Sequence, residues 1–215
     1  MAHKVIEPVP LTVALVGQPN VGKSIIFNML TGLSQHVANW PGKTSEQRIG
    51  EYRQNGTRLR VVDLPGIYSL TANSEEERIA RDYIICQRPD VVAVVVDAAA
   101  LERNLYLLAE LLHLPIPIVV GLNLMDVAAQ EGLQVEPHVL EAALGVPVIP
   151  MVATRNQGVR ELIEAAAHMA RQPAGLSPRR PEIRADHAAV LAEVSRLIAG
   201  HVPAPYPDDW VALKL

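Results

Sequence analysis

The sequence predicts an α/β fold: a mostly parallel six-stranded sheet with one antiparallel hairpin, helices on both faces, and a short helical C-terminal appendage. Three observations predict it. Short apolar runs alternate with longer amphipathic stretches, as parallel strands joined by right-handed crossover helices require. A single Asn55-Gly56 pair lies between two strand-like segments, and Asn-Gly suits the type I′ hairpin turn, whose two central residues need positive φ. Aromatic residues make up only 4% of the 215 residues against 49% hydrophobic, so the core is aliphatic, as buried parallel sheets are.

The elements follow in order. Leu11–Val16 is an apolar run ending at Gly17 and reads as a buried strand. Lys23–Thr31 reads as a helix with Ile26, Phe27 and Leu30 on one side and Gly32 as its stop. Residues 33–47 lack periodicity and read as a loop. The segments 48–53 and 57–62 flank the Asn-Gly turn as paired strands. Ser74–Gln87 reads as a helix opened by a capping box, Ser74 with Glu77. Val91–Val96 is a central strand, Leu101–Leu112 an amphipathic helix and Ile116–Leu122 a buried strand. Pro137–Leu144 is a helix closed by Gly145, Pro147–Met151 a strand and Val159–Ala170 a helix. This partition gives a tail over 1–10, a main domain over 11–170, a Pro-rich linker over 171–181 and a partial helical domain over 182–215. The last contains a helix over 182–199 and the start of another at Trp210.

Lys+Arg 19 against Asp+Glu 23 gives a net charge of −4, which argues against a mainly electrostatic nucleic-acid binder. One cysteine, Cys86, excludes an internal disulfide framework and a Cys-rich zinc site. Val91–Val96 is far shorter than the roughly 18–20 apolar residues of a spanning helix. The N-terminus has no signal-peptide core, so the expected location of this chain is cytoplasmic.

The first chemical signal is Gly17-Gln-Pro-Asn-Val-Gly22-Lys23-Ser24, which matches GxxxxGK[ST] after a strand and at the start of a helix. Gly17 and Gly22 let backbone N–H groups turn toward phosphate oxygens, and the helix N-terminus adds positive potential. Lys23 is a mobile charge for the β- and γ-phosphates, and the Ser24 hydroxyl is a Mg²⁺ ligand. Asp63-Leu-Pro-Gly66 ends the next strand: its carboxylate suits the Mg²⁺ shell and the Gly66 N–H the γ-phosphate. Thr44, in the irregular stretch, is the candidate second Mg²⁺ ligand. Asn123-Leu-Met-Asp126 lies at a strand end, where open α/β sheets bind ligands. Asp126 offers two acceptors to the paired N1–H and N2–H donors of guanine, a pair adenine lacks. Asn123 is expected to bridge the base to the phosphate loop. Val152-Ala153-Thr154 is expected to offer a backbone N–H to guanine O6. Val21, Ile25 and Gly42 complete the expected nucleotide contacts, and Lys23, Gly66 and Thr44 are the expected catalytic residues.

This ordered set resembles a TRAFAC-class P-loop GTPase. More finely, it is similar to the N-terminal cytosolic G domain of the bacterial ferrous-iron transporter FeoB. The carrying runs are Gly17–Ser24, Asn39-Trp-Pro-Gly-Lys-Thr44, Asp63-Leu-Pro-Gly-Ile-Tyr-Ser-Leu70, Asn123–Asp126 and Trp210–Leu215. The resemblance implies binding of GTP/GDP with Mg²⁺, and GTP hydrolysis coupled to Fe²⁺ uptake. It also implies a position on the cytoplasmic face of the cell inner membrane, a partner in the transporter's own membrane domain and a helical domain incomplete in this chain; it leaves a homo-oligomer open. The sequence departs from the pattern at Leu124, where GTPases usually carry Lys, at Gln18, where Asn is common, and at Lys43, where the family tends to be apolar. Ile67 stands where Ras-like GTPases place the water-orienting Gln, so slow intrinsic turnover is expected. Asn20 matches the asparagine that ligates K⁺ in related enzymes, which implies K⁺, held by Asn20 with carbonyls of 38–43, as the activator. The segments 33–47 and 65–74 are the expected switches. A ribosome-assembly GTPase with an RNA output and a P-loop ATPase are the competing readings.

Overall fold

The computed structural model describes residues 10–41, 43, 45–54, 57–172 and 178–215. Among them the strands are β1 (Leu11–Gly17), β2 (Gln35–Asn39), β3 (Glu46–Gln54), β4 (Thr57–Asp63), β5 (Val91–Asp97), β6 (Ile118–Asn123) and β7 (Val148–Pro150). They form one seven-stranded sheet in the order β2-β3-β4-β1-β5-β6-β7. The β2–β3 and β3–β4 pairs are antiparallel and the others parallel. The sheet thus has one strand more than the six expected. The extra one, β2, falls inside the stretch read as loop. It is an edge strand with four of its five residues exposed, so it carries none of the apolar alternation that marks a half-buried strand. Asn55 and Gly56 lie outside the described residues, but Gln54 pairs with Thr57 across their position.

Helices α1 (Lys23–Thr31) and α6 (Val159–Arg171) cover one face. Helices α2 (Glu75–Asp82), α3 (Leu101–Leu112) and α5 (Pro137–Leu144) cover the other. The central strand shows why its run is continuously apolar: Val92, Val94 and Val96 enter one core while Val91, Ala93 and Val95 enter the other. Each fully buried Val or Leu contributes about 1.5–3 kcal/mol, so burial on both faces keeps β5 inside the sheet, between β1 and β6.

The N-cap forms, Ser74 Oγ accepting the Glu77 N–H at 3.1 Å, but the return bond of a capping box is shifted by one residue: Glu77 Oε2 accepts the Asn73 N–H at 3.0 Å. The helix it opens does not stay α-helical to Gln87; from Tyr83 to Gln87 it widens into a π-turn. A short helix, α4 (Met125–Gln130), was not expected. Beyond the main domain, α7 (Ala185–Ile198) and α8 (Asp208–Ala212) form the appendage, and Trp210 of α8 is buried in the α2/α3 core. Residues 173–177 of the expected linker lie outside the described residues. Among the described residues no helix is long and apolar enough to cross a membrane.

Candidate nucleotide site

The loops at the carboxyl ends of β1, β4, β6 and β7 converge on one rim of the sheet, where parallel α/β folds bind ligands. The β1–α1 loop needs its two glycines for different reasons. A Cβ on Gly17 would lie 2.5 Å from Val95 O, so β5 approaches too closely for any side chain. Gly22 has φ +90°, and a Cβ there would also strike Asn123 Nδ2 at 2.4 Å. Asn20 adopts the left-handed region too, at φ 67°, with its side chain exposed. Gly22 O accepts the N–H groups of Ile25 and Ile26, both at 3.1 Å, and starts α1 without a side-chain cap. The first-turn amides are therefore not covered by a capping side chain. Ser24 and Ile25 are exposed on that turn.

Lys23 Nζ donates to Asp63 Oδ1 at 2.7 Å, and both side chains are buried. The pairing of Leu15 with Asp63 in the β1–β4 ladder sets this approach. Past Asp63 the chain stays against β1: the Leu64 N–H donates to Leu15 O and the Ile67 N–H to Gly17 O, each at 3.1 Å. Gly66 sits so near Pro19 that a Cβ would lie 3.1–3.2 Å from its atoms. The Ile67 side chain is buried in the core.

At the other end, Asn123 is buried and ties three segments together. Its Nδ2 donates to Val21 O at 2.8 Å, and its Oδ1 accepts the Ala153 N–H at 2.9 Å. Leu124 adopts φ 62° as the N-cap of α4, an arrangement that costs an L-residue about 1–2 kcal/mol. It turns the chain so that Asp126 falls in the first turn of α4. Asp126 Oδ1 accepts the Val127 N–H at 3.1 Å, and its Oδ2 lies 3.5 Å from Arg155 Nη2.

The structure thus brings Gly17, Val21, Gly22, Lys23, Asp63 and Gly66 together, and joins Asn123 to Ala153, with Thr154 next in the same turn. Gly42 and Thr44 lie outside the described residues. Two contacts had no sequence signal. Gln18, 2% exposed, donates through Nε2 to Arg103 O at 2.8 Å and ties the phosphate loop to α3. Glu110 of α3 accepts the Leu70 N–H at 2.6 Å, holding the segment that follows Gly66.

A family model described as "Ferrous iron transport protein B" matches residues 11–166. The chain belongs to that family. It is 46% identical over 156 residues to the Fe(2+) transporter FeoB of Escherichia coli strain K12, covering 71% of this chain and 20% of that protein. The Salmonella typhimurium Fe(2+) transporter FeoB is 44% identical over the same length and the same shares. The chain therefore spans about one-fifth of the length of these FeoB relatives. Among solved structures, it is similar to the cytosolic domain of T. maritima FeoB in GDP form II, at 32% identity and TM-score 0.88, covering 96% of this chain and 81% of that one. A point mutant of S. thermophilus NFeoB bound to mGDP is 37% identical with TM-score 0.87, covering 96% and 78%. The fold is that of the FeoB G domain, a P-loop GTPase fold.

Proposed function

We propose that this chain is the GTP-binding and GTP-hydrolysing regulatory domain of a membrane Fe²⁺ transporter, acting at the cytoplasmic face of the membrane beside the transporter's membrane-embedded part. The observation that carries the proposal is Asn123. One buried side chain fastens the phosphate loop at Val21 to the base-reading turn at Ala153, so both ends of a nucleotide meet one rigid frame. The relatives' names supply the transport context, and the GDP and mGDP of the related structures agree with a guanine nucleotide.

The chemistry follows from the side chains. Asp126 presents its carboxylate to the N1–H and N2–H of guanine. The Ala153 amide already donates to Asn123, so the O6 contact falls to the next amide, that of Thr154. Lys23 sits at the β- and γ-phosphates, with the amides around Gly22. Ser24 and Asp63 form a hard oxygen donor set that fits Mg²⁺, and Thr44 is the third member assigned to it. Mg²⁺, when bound, neutralises charge on the β- and γ-phosphate oxygens. Asn20, exposed in left-handed backbone in the loop before Lys23, is the residue that would hold K⁺. Gly66 presents its N–H to the γ-phosphate and loses that contact after hydrolysis. Ile67 is buried and orients no water, so intrinsic turnover is slow. The net charge of −4 counts against an RNA output.

The test is displacement of a fluorescent GDP analogue, with hydrolysis followed in KCl and in NaCl. GTP and GDP displace it and ATP does not, and turnover is faster in KCl. Displacement by ATP as readily as by GTP would overturn the guanine assignment, and equal rates in the two salts the K⁺ assignment. Asp126→Asn exchanges one acceptor for a donor, which suits the C2 carbonyl of xanthine. The variant should lose about 10²-fold or more in GDP affinity, at about 1–3 kcal/mol per mismatched buried polar group, and gain relative affinity for XDP. An unchanged purine preference would remove Asp126 from the site.

A further inference from the structure

On the sheet face that carries α2, a groove of about 500 Å³ runs between that helix and the β3–β4 pair. Its walls come from Trp40, Pro41 and Lys43, from Arg60 of β4, from Arg78 of α2, and from Tyr83 and Arg88 at the two ends of the π-turn. We propose that this groove binds a small dianionic ligand with a flat or apolar body, of the phosphomonoester or dicarboxylate class.

Charge points to the first half of that description. Lys43, Arg60, Arg78 and Arg88 line the groove, and none of them forms an ion pair among the described residues. The carboxylate among the lining residues, Asp82, is already engaged: it lies 2.9 Å from Arg81 and accepts the Tyr206 hydroxyl at 3.1 Å. Guanidinium groups favour planar or tetrahedral oxyanions that accept two hydrogen bonds at once. Four cations lining one groove favour two negative charges over one.

The floor points to the second half. Trp40 is only 6% exposed, and Tyr83 meets it edge-on with ring centroids 5.4 Å apart. Its indole Nε1 is a buried donor that meets no acceptor among the described residues, an arrangement that costs about 1–3 kcal/mol. Ile79, Pro41 and Pro89 extend the apolar lining. The volume lies in the range of small-molecule sites, roughly 300–1,000 Å³. Trp40 itself is held by its backbone: its carbonyl accepts the Lys43 N–H at 2.9 Å and its N–H donates to Ser45 O at 3.0 Å, next to β3.

The chain has two tryptophans, Trp40 and Trp210, so the test is direct. The ¹⁵N-labelled protein, in excess GDP to keep the probe out of the phosphate loop, is titrated with phenyl phosphate. The Trp40 indole N–H resonance is the one lost in Trp40→Phe. A saturable shift of that resonance is expected. The double variant Arg60→Glu/Arg78→Glu should weaken the response at least tenfold with its melting temperature and GDP displacement unchanged. Phthalate acting more strongly than phenyl phosphate would assign the dicarboxylate class, and phenyl phosphate alone the phosphomonoester class. No shift at Trp40, a shift undiminished in the double variant, or inorganic phosphate binding as tightly as phenyl phosphate would each overturn the proposal.

Discussion

Gly22 and Gly132 share the left-handed backbone, at φ +90° and +75°, but only Gly22 has a neighbour in the way. A Cβ on Gly132 meets nothing within 4 Å, whereas one on Gly22 would lie 2.4 Å from Asn123 Nδ2. Alanine at either position incurs the left-handed strain of about 1–2 kcal/mol. Gly22→Ala must also push aside the Asn123 amide that holds Val21 to the turn at Ala153. Both variants should melt at lower temperature, but only Gly22→Ala should lose GDP affinity, by at least about tenfold, or about 1.4 kcal/mol. Equal affinities in the two variants would mean that the Asn123 tie does not shape the nucleotide site. At this scale the sequence was informative wherever chemistry is contiguous: Gly17 to Ser24 reads as a phosphate loop because its residues are neighbours in the chain. Asn123 and Val21 are 102 positions apart. Only the order of motifs suggested their meeting, and the diversion of the Ala153 amide to Asn123 had no local signal at all.

Among the elements, α3 was legible as an amphipathic helix, but its polar side hid a structural role. Glu110 is 8% exposed. Its carboxylate accepts the Leu70 N–H, lies 3.4 Å from Ser69 Oγ and pairs with Lys214. A lone glutamate on an amphipathic helix reads as a solvated residue, because burial by the chain's last residues cannot be inferred from spacing. Elements that bury no periodic face were missed for the related reason that nothing repeats in them. β2 is mostly exposed, and α4 spans only Met125–Gln130 behind a leucine at positive φ. The consequence for α3 is testable. Glu110→Ala leaves the Leu70 N–H and the Lys214 ammonium without their acceptor, which should cost about 2–6 kcal/mol in unfolding free energy, at about 1–3 kcal/mol per unsatisfied group. It should also make the 65–74 segment cleave faster under limited proteolysis. Lys214→Met, which removes the charge but spares the Leu70 bond, should cost less and leave that cleavage rate unchanged. Matching cleavage in both variants would show that Glu110 does not hold the segment.

For the molecule as a whole, the question is how the C-terminal appendage is fastened to the sheet domain. Trp210 is buried in the α2/α3 core, Tyr206 bonds to Asp82, Lys214 pairs with Glu110, and Arg180 pairs with Asp209 at 2.9 Å. His113, at the end of α3, sits in the middle of this junction, and Arg180 Nη2 lies 3.5 Å from its carbonyl. Burial lowers the His113 pKa below the usual 6.5; the nearby Arg180 and Lys214 charges lower it further, against an opposing pull from Asp209. The folded protein therefore binds a proton at His113 less readily than the unfolded chain does. Stability contributed by the neutral imidazole is complete above 6.5 and is lost as pH falls from there toward the lower folded value. The melting temperature should start to drop as pH falls through about 6.5, the ordinary imidazole pKa, and His113→Gln should flatten that part of the drop. Because Arg180, just before α7, is one of the cations that oppose protonation, Arg180→Gln should flatten it partly as well. A slope identical in the wild type and in His113→Gln would show that the junction is fastened without regard to the protonation state of this imidazole.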